Sequence, residues 1–149
     1  MGVRAQLYEI PASIFVDIKA GGDIDEQILK NAPVIFLDKS WHELHSLFRN
    51  MEAPLNRIIS GDWAYPSSSQ TIEAFVEGKG AGYYVAFASP LLVHEIATAL
   101  PALSESELLR IANETNITLD DYCRSHLKEL KEAYFNAAKN GNAISITVA

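Results

Sequence analysis

The sequence predicts an α+β fold: a small antiparallel or mixed sheet, with strands near residues 3–9, 83–88 and 143–148, covered by helices. The segment YYVAFA at 83–88 is rich in aromatic residues and Val and too short for a helix. Residues 118–139 carry a helical apolar stripe that Gly141 can terminate, and the β-prone run AISITV follows at once. The candidate strands lie far apart, with helical segments between them, which points to a sheet covered by helices rather than to a series of hairpins. A chain of 149 residues has the length of one domain spanning 1–149. It buries roughly 68–70% of its unfolded surface, enough for a core without staples.

The elements follow in order. Residues 3–9 (VRAQLYE) alternate weakly and read as a first strand. Pro11 suits a first helical turn, so 12–19 reads as a short helix, although Ile14, Val16 and Ile18 also suit a strand. Gly21-Gly22 is a break, and Asp23 offers an N-cap to a helix over 24–31. VIFL at 34–37 is a short buried segment. Ser40 and Glu43 form an S-x-x-E capping box for a helix over 40–50. Trp41, Leu44, Leu47 and Phe48 give that helix a buried face. Residues 51–69, with Pro54, Gly61, Pro66 and three successive serines, read as a long surface loop with one helical turn near 55–59. A short helix over 70–77 precedes a turn marked by Gly78, Gly80 and Gly82. Pro90 opens a helix over 91–99, and Ser104 with Glu107 makes a second capping box for 105–113. Thr118 caps the long C-terminal helix 118–139, whose stripe is Leu119, Tyr122, Cys123, Leu127, Leu130, Ala133, Tyr134 and Ala137.

Charge narrows the function. Nineteen acidic and 12 basic side chains give a net charge of −7. Lys128, Lys131 and Lys139 are interrupted by Glu129 and Glu132, so there is no basic stripe for phosphates, and the summed field disfavours nucleic acid. The same field attracts a basic protein partner; it also serves solubility alone. Cys123 is the only cysteine, which fits a reducing compartment. The N-terminal stretch lacks a signal-peptide core, Gln6 stands where a myristoylation signal needs Ser or Thr, and no apolar run approaches the ~20 residues that span a bilayer. The expectation is a cytoplasmic protein without a membrane segment.

The densest reactive stretch is Asp38-Lys39-Ser40-Trp41-His42-Glu43-Leu44-His45. Trp41 and His45 are four apart and share a helix face, while His42 points elsewhere. In a functional reading His45 is a general base whose tautomer Asp38 sets. In a structural reading Asp38 is a cap, Trp41 anchors the core and His45 is a satisfied, semi-buried histidine. His42 and His45 lack the HExxH or Cys/His spacing of a metal site, and neither His94 nor His126 completes one. Gly78-Lys79-Gly80-Ala81-Gly82 fails the P-loop and dinucleotide patterns, because Lys follows the first Gly and position 83 is Tyr. Ser67, Ser68 and Ser69 have no G-x-S-x-G context. Cys123 sits on an apolar stripe as an inert thiol. Asp62, Trp63 and Tyr65 lie in a loop, where the two aromatics form either a recognition surface or a lid packed on the core.

Several pieces resemble one bacterial family. They are Leu37-Asp38-Lys39-x-Trp41-x-x-Leu44-His45, Pro54-Leu55 leading to Gly61, Tyr83-Tyr84 before a helix, and a helix through Leu130 and Tyr134 followed by Asn140-Gly141-Asn142-Ala143 and a terminal strand. In this order they resemble the YfbM-like family, a domain of unknown function. The resemblance implies a compact α+β fold and lends no activity, cofactor or catalytic residue. It singles out Asp38, Trp41 and His45 as shared positions.

Two functional expectations follow. The first is a non-enzymatic protein-binding domain, such as an immunity protein that neutralises a toxin, with acidic side chains steering a basic partner and Asp62, Trp63 and Tyr65 anchoring it. The second is a small-molecule-binding protein or hydrolase-like enzyme built from Asp38, Trp41, His42 and His45 around a pocket. Neither implies a cofactor.

Overall fold

A computed structural model describes residues 3–24, 26–66, 68–69, 71–78 and 82–149 of the chain. Its sheet has five strands in the order β2-β1-β5-β4-β3. They are β1 (Ala5–Ile10), β2 (Val34–Asp38), β3 (Trp63–Ala64), β4 (Tyr84–Ala88) and β5 (Ala143–Val148), and every neighbouring pair is antiparallel. The three expected strands are therefore the inner ones. β5, last in the chain, lies between β1 and β4 and pairs with both along its length.

The period-two pattern of the strands sorts their side chains onto two covered faces. Ala5, Leu7, Tyr84, Ala86, Ala88, Ile144, Ile146 and Val148 meet the larger core. Ile10, Val85, Phe87 and Ala143 face a smaller cluster. Helices α3 (Trp41–Phe48), α4 (Ile72–Val76), α5 (Pro90–Ala99), α6 (Glu105–Glu114) and α7 (Asp121–Lys139) contribute to the larger core. Helix α1 (Ala12–Lys19) brings Phe15 and Ile18 to the other face, and α2 (Glu26–Asn31) adds Leu29. The expected helices over 12–19, 91–99 and 105–113 appear within a residue of their bounds. No helix among the described residues is long and apolar enough to cross a membrane.

Several local expectations are corrected. Ser40 stands at the N-cap of α3, but its side chain does not cap: the residue is already helical (φ −67°, ψ −16°) and its hydroxyl donates back to the Leu37 carbonyl. The second box forms by half. Ser104 accepts from the Glu107 N–H at 3.1 Å, but the Glu107 carboxylate pairs with Arg110. The long helix is capped by Asp120, not Thr118; the carboxylate accepts from the Cys123 N–H at 2.8 Å, where the positive end of the helix favours an anion. Tyr122 leaves the apolar stripe and is 44% exposed. The VIFL segment is an edge strand rather than a buried one, and Phe36 is 54% exposed because only one face of β2 packs on the core. The expected start of a helix at 24 shifts to Glu26, and Asp25 lies outside the described residues.

The largest difference concerns residues 51–69. They are not a loop lying on the surface. Ile58 and Ile59 are fully buried, Leu55–Arg57 form a 3-10 turn, and Trp63–Ala64 pair with Phe87 and Ala86. Ser68 extends the pairing by side chain: its hydroxyl donates to the Val85 carbonyl and accepts the Val85 N–H, both at 2.9 Å. Ser67 and the middle of the glycine turn, Lys79 to Ala81, lie outside the described residues.

One buried contact ties this segment to the long helix. Tyr134, fully buried on α7, donates its hydroxyl to the Ile58 carbonyl at 2.6 Å. Replacing Tyr134 with Phe leaves that carbonyl without its donor, a loss of about 1–3 kcal/mol. Guanidinium denaturation of Tyr134→Phe should show a lower midpoint with an unchanged slope. A midpoint equal to the parent's would mean the hydroxyl contributes nothing.

Candidate functional site

Helix α3 places the sequence-predicted residues in three different surroundings. Trp41 is buried, and its indole N–H donates to the Val3 carbonyl at 3.0 Å, so it anchors the segment that leads into β1. His42 sits edge-on to Trp41, with Nε2 3.2 Å from the Val76 carbonyl. Asp38 does not meet His45. Its carboxylate takes Arg4 Nε at 3.0 Å and the Tyr122 hydroxyl at 3.1 Å, which ties β2 to the start of α7.

His45 lies on the apolar side of α3, one turn after Trp41 and one residue past Leu44, and is only 2% exposed. Its carboxylate partner is Glu73. Thr71 caps the short helix α4 by accepting the Ala74 N–H, which holds Glu73 in the first turn. Glu73 Oε1 lies 3.0 Å from His45 Nε2, and Oε2 lies 2.7 Å from Arg49 Nη1. A carboxylate facing an arginine can only accept, so Nε2 carries the ring proton. Burial holds the His45 pKa below its ordinary 6.5; the Glu73 carboxylate pulls the other way and is outweighed. The ring is therefore neutral at pH 7, with its lone pair on Nδ1. That atom is buried and has no hydrogen-bond partner.

A pocket of about 460 Å³ opens here between α3, α4 and the 51–69 segment, and its lining includes His45, Arg49, Asn56, Arg57, Asp62 and Glu73. Asn56 Oδ1 is the other buried side-chain atom without a partner among the described residues. Gly61 turns this wall toward β3 with φ +73°; a Cβ there would lie 2.5 Å from the Phe87 carbonyl oxygen, so the close approach needs glycine. Asp62 then caps α5 from outside, accepting the Ser89 N–H at 2.8 Å and the Ser89 hydroxyl at 2.6 Å. Tyr84 donates to the Ser60 carbonyl at 2.6 Å, and burial pushes its pKa up to about 12.

Of the other candidates, Trp63 also reaches the pocket lining. Trp63 and Tyr65 are half-buried and pack against each other and Phe87, and Trp63 also against Phe15, as a lid on the smaller cluster. Cys123 is buried, and that burial, followed by the Asp120 carboxylate, pushes its thiol pKa up to about 12. Among the described residues no group of three His, Cys, Asp or Glu side chains could hold a metal ion. Sequence reasoning missed Arg49, Asn56, Arg57 and Glu73, because nothing local marks them and only the fold brings them to His45.

The His45 environment makes stability depend on pH. The folded ring resists protonation, so below pH 6.5 the unfolded chain binds more protons and the fold loses stability until the pH passes the lowered folded value. Glu73 is also held below its ordinary 4.5, first by the His45 hydrogen bond, and its contribution is lost only below that pH. Melting temperature should therefore fall as pH drops from 7 toward 5, and fall less steeply in His45→Gln. Parallel profiles for the two proteins would contradict a buried neutral ring.

The chain matches a family described as Domain of unknown function (DUF1877) over residues 1–147. The crystal structure of YfbM from Escherichia coli, a protein of unknown function, has the same fold: TM-score 0.65, 17% identity, 98% of this chain and 99% of that one covered. No curated protein matches the chain. The chain belongs to the DUF1877 family, and its fold is that of a YfbM-like domain of unknown function.

Proposed function

We propose that the domain binds a small polar ligand in the pocket beside His45 and Glu73. The observation that carries this reading is that two residues of the pocket lining, His45 and Asn56, each hold a buried side-chain acceptor that no protein group satisfies, Nδ1 and Oδ1 respectively. Each such group costs about 1–3 kcal/mol, so a bound donor would recover stability. The size also suits a ligand, since small-molecule sites run ~300–1,000 Å³. Arg49 and Arg57 add two exposed guanidinium groups to the same lining. A catalytic version of this reading would use His45 with Glu73, because Asp38 is engaged by Arg4 and Tyr122.

The test is a thermal-shift survey of the full chain against sugars, amino acids, carboxylic acids, nucleosides and inorganic phosphate. At least one class should raise the melting temperature, by the equivalent of ~2.7 kcal/mol at a hundredfold excess over Kd. The rise should disappear in Arg57→Ala and Asn56→Ala. A survey without any stabiliser, or a stabiliser indifferent to both substitutions, would sink the pocket.

A second reading, a non-enzymatic domain that neutralises a basic protein such as a toxin, draws on the net charge of −7 and on Phe36, exposed on edge strand β2. Its aromatic anchor loses support, since Trp63 and Tyr65 spend much of their surface on packing. Both readings take the protein to be cytoplasmic. Pull-down from the native host at low and moderate salt should recover a basic partner if this reading holds, and recovery of none counts against it.

A further inference from the structure

Resting on the basic-partner reading and making it specific, we propose that the open edge of β2 takes up an extended segment of a basic protein as an added antiparallel strand, with lysine or arginine side chains of that segment seated between β2 and α7.

The argument begins with the backbone. β2 ends the sheet and has a neighbour, β1, on one side only. The two pair as Tyr8↔Val34, Leu7↔Ile35 and Gln6↔Phe36, and the Glu9 N–H donates to the Pro33 carbonyl at 2.9 Å. Hydrogen-bonded and non-bonded pairs alternate in an antiparallel ladder, so Pro33 and Ile35 turn their backbone groups to β1. Val34 and Phe36 turn theirs outward, where no described residue hydrogen-bonds them. Proteins commonly guard such an edge with lysine or proline. The five residues of β2, Val-Ile-Phe-Leu-Asp, include neither, and the Phe36 ring stands exposed beside the open backbone.

The side chains say what the added strand must carry. Ile35 and Leu37 pack into the larger core, so Val34 and Phe36 lie on the opposite face of β2. Helix α7 runs along the core side: the Tyr122 hydroxyl reaches Asp38 at one end of β2, and Glu129, Glu132 and Asn136 border Val34 and Ile35 at the other. A cleft of about 130 Å³ lies there. Buried Leu7 and Ile144 line it beside Ile35, and Glu129 and Glu132 are its exposed part. Among the described residues neither glutamate has an ion-pair partner, and no lysine or arginine lines the cleft. An apolar slot flanked by free carboxylates is the complement of an alkyl stem that ends in a cation. In a strand added outside β2, the residue opposite Ile35 points to this side, and the next one lies opposite Phe36, where an aliphatic side chain packs on the ring. A second copy of this chain does not answer the site, because its own β2 brings no cation and it adds another net charge of −7.

Fluorescence anisotropy of a labelled hexapeptide of alternating lysine and valine, titrated with the full chain at low salt, tests this. In the proposed register the valine amides face β2 and the lysine amides face solvent. N-methylation of the valine amides should therefore weaken binding at least about tenfold, and N-methylation of the lysine amides should leave it unchanged. Glu129→Gln with Glu132→Gln, both on the surface, should melt like the parent and bind the unmodified peptide at least about tenfold more weakly. Asp17→Asn with Glu95→Gln, which remove the same charge from α1 and α5, should not weaken it. No anisotropy change up to millimolar protein overturns the inference, as does equal tolerance of the two methylated peptides or equal loss in the two double variants. A dimer in sedimentation of the chain alone that the peptide fails to displace means that a second copy fills the edge, and overturns it too. If a basic partner is recovered from the host and binds the Glu129→Gln, Glu132→Gln protein as well as the parent, the edge is wrong and the basic-partner reading stands. If neither peptide nor partner binds, both fail together.

Discussion

A buried hydrogen bond, from the Tyr134 hydroxyl to the Ile58 carbonyl, holds the wall on which the candidate site is built. Among its described residues the segment 51–69 has little secondary structure of its own, one 3-10 turn and a two-residue strand. Such a segment stays in place only if its backbone groups find partners elsewhere. Tyr134 supplies one from α7, Tyr84 supplies another to the Ser60 carbonyl, and β4 receives the Asp62 N–H through the Phe87 carbonyl. Ile58 and Ile59 add fully buried side chains. Asn56 and Arg57, just before these anchors, inherit their positions.

The electrostatics of the site are those of a compromise. A buried histidine is expensive to ionise, and a nearby carboxylate makes ionisation cheaper. Here burial wins at His45, while Glu73 is stabilised as an anion by the imidazole N–H and by Arg49. A leucine at position 45 would pack on the same helix face without a desolvated nitrogen. Replacing buried polar groups by apolar ones of similar size is often neutral or stabilising. Trp41, by contrast, is explained in full by packing and its bond to the Val3 carbonyl.

The parts of the fold legible in the sequence are those decided locally. The 83–88 and 143–148 strands and the long C-terminal helix follow from composition and spacing within their own windows. Where two local signals compete, the contest is settled by chemistry outside the window: Asp120 displaces Thr118 as a cap because its carboxylate reaches the Cys123 N–H. Strand β3 is illegible because Trp63 and Ala64 have no alternation to show; their conformation is imposed by β4 across the ladder. The site divides the same way. His45 stands out as a titratable group on an apolar face, but Glu73 comes from 28 residues further on. Asp38, the neighbour in sequence, is drawn off by Arg4 and by Tyr122, 84 residues away.

The acidic exterior and the charge-balanced pocket also act at different ranges. A net charge of −7 produces a field that extends about a Debye length, ~8 Å at physiological salt, and repels anions before they reach any site. Inside the pocket, two cations and two anions cancel at that distance and act only at contact. A small anion would approach against the outer field for the sake of one free guanidinium. A basic macromolecule would be drawn to the outside but could not enter. A species without net charge crosses the field unopposed, so a ligand of the proposed pocket would be sorted by the donors and acceptors of the wall rather than by long-range attraction.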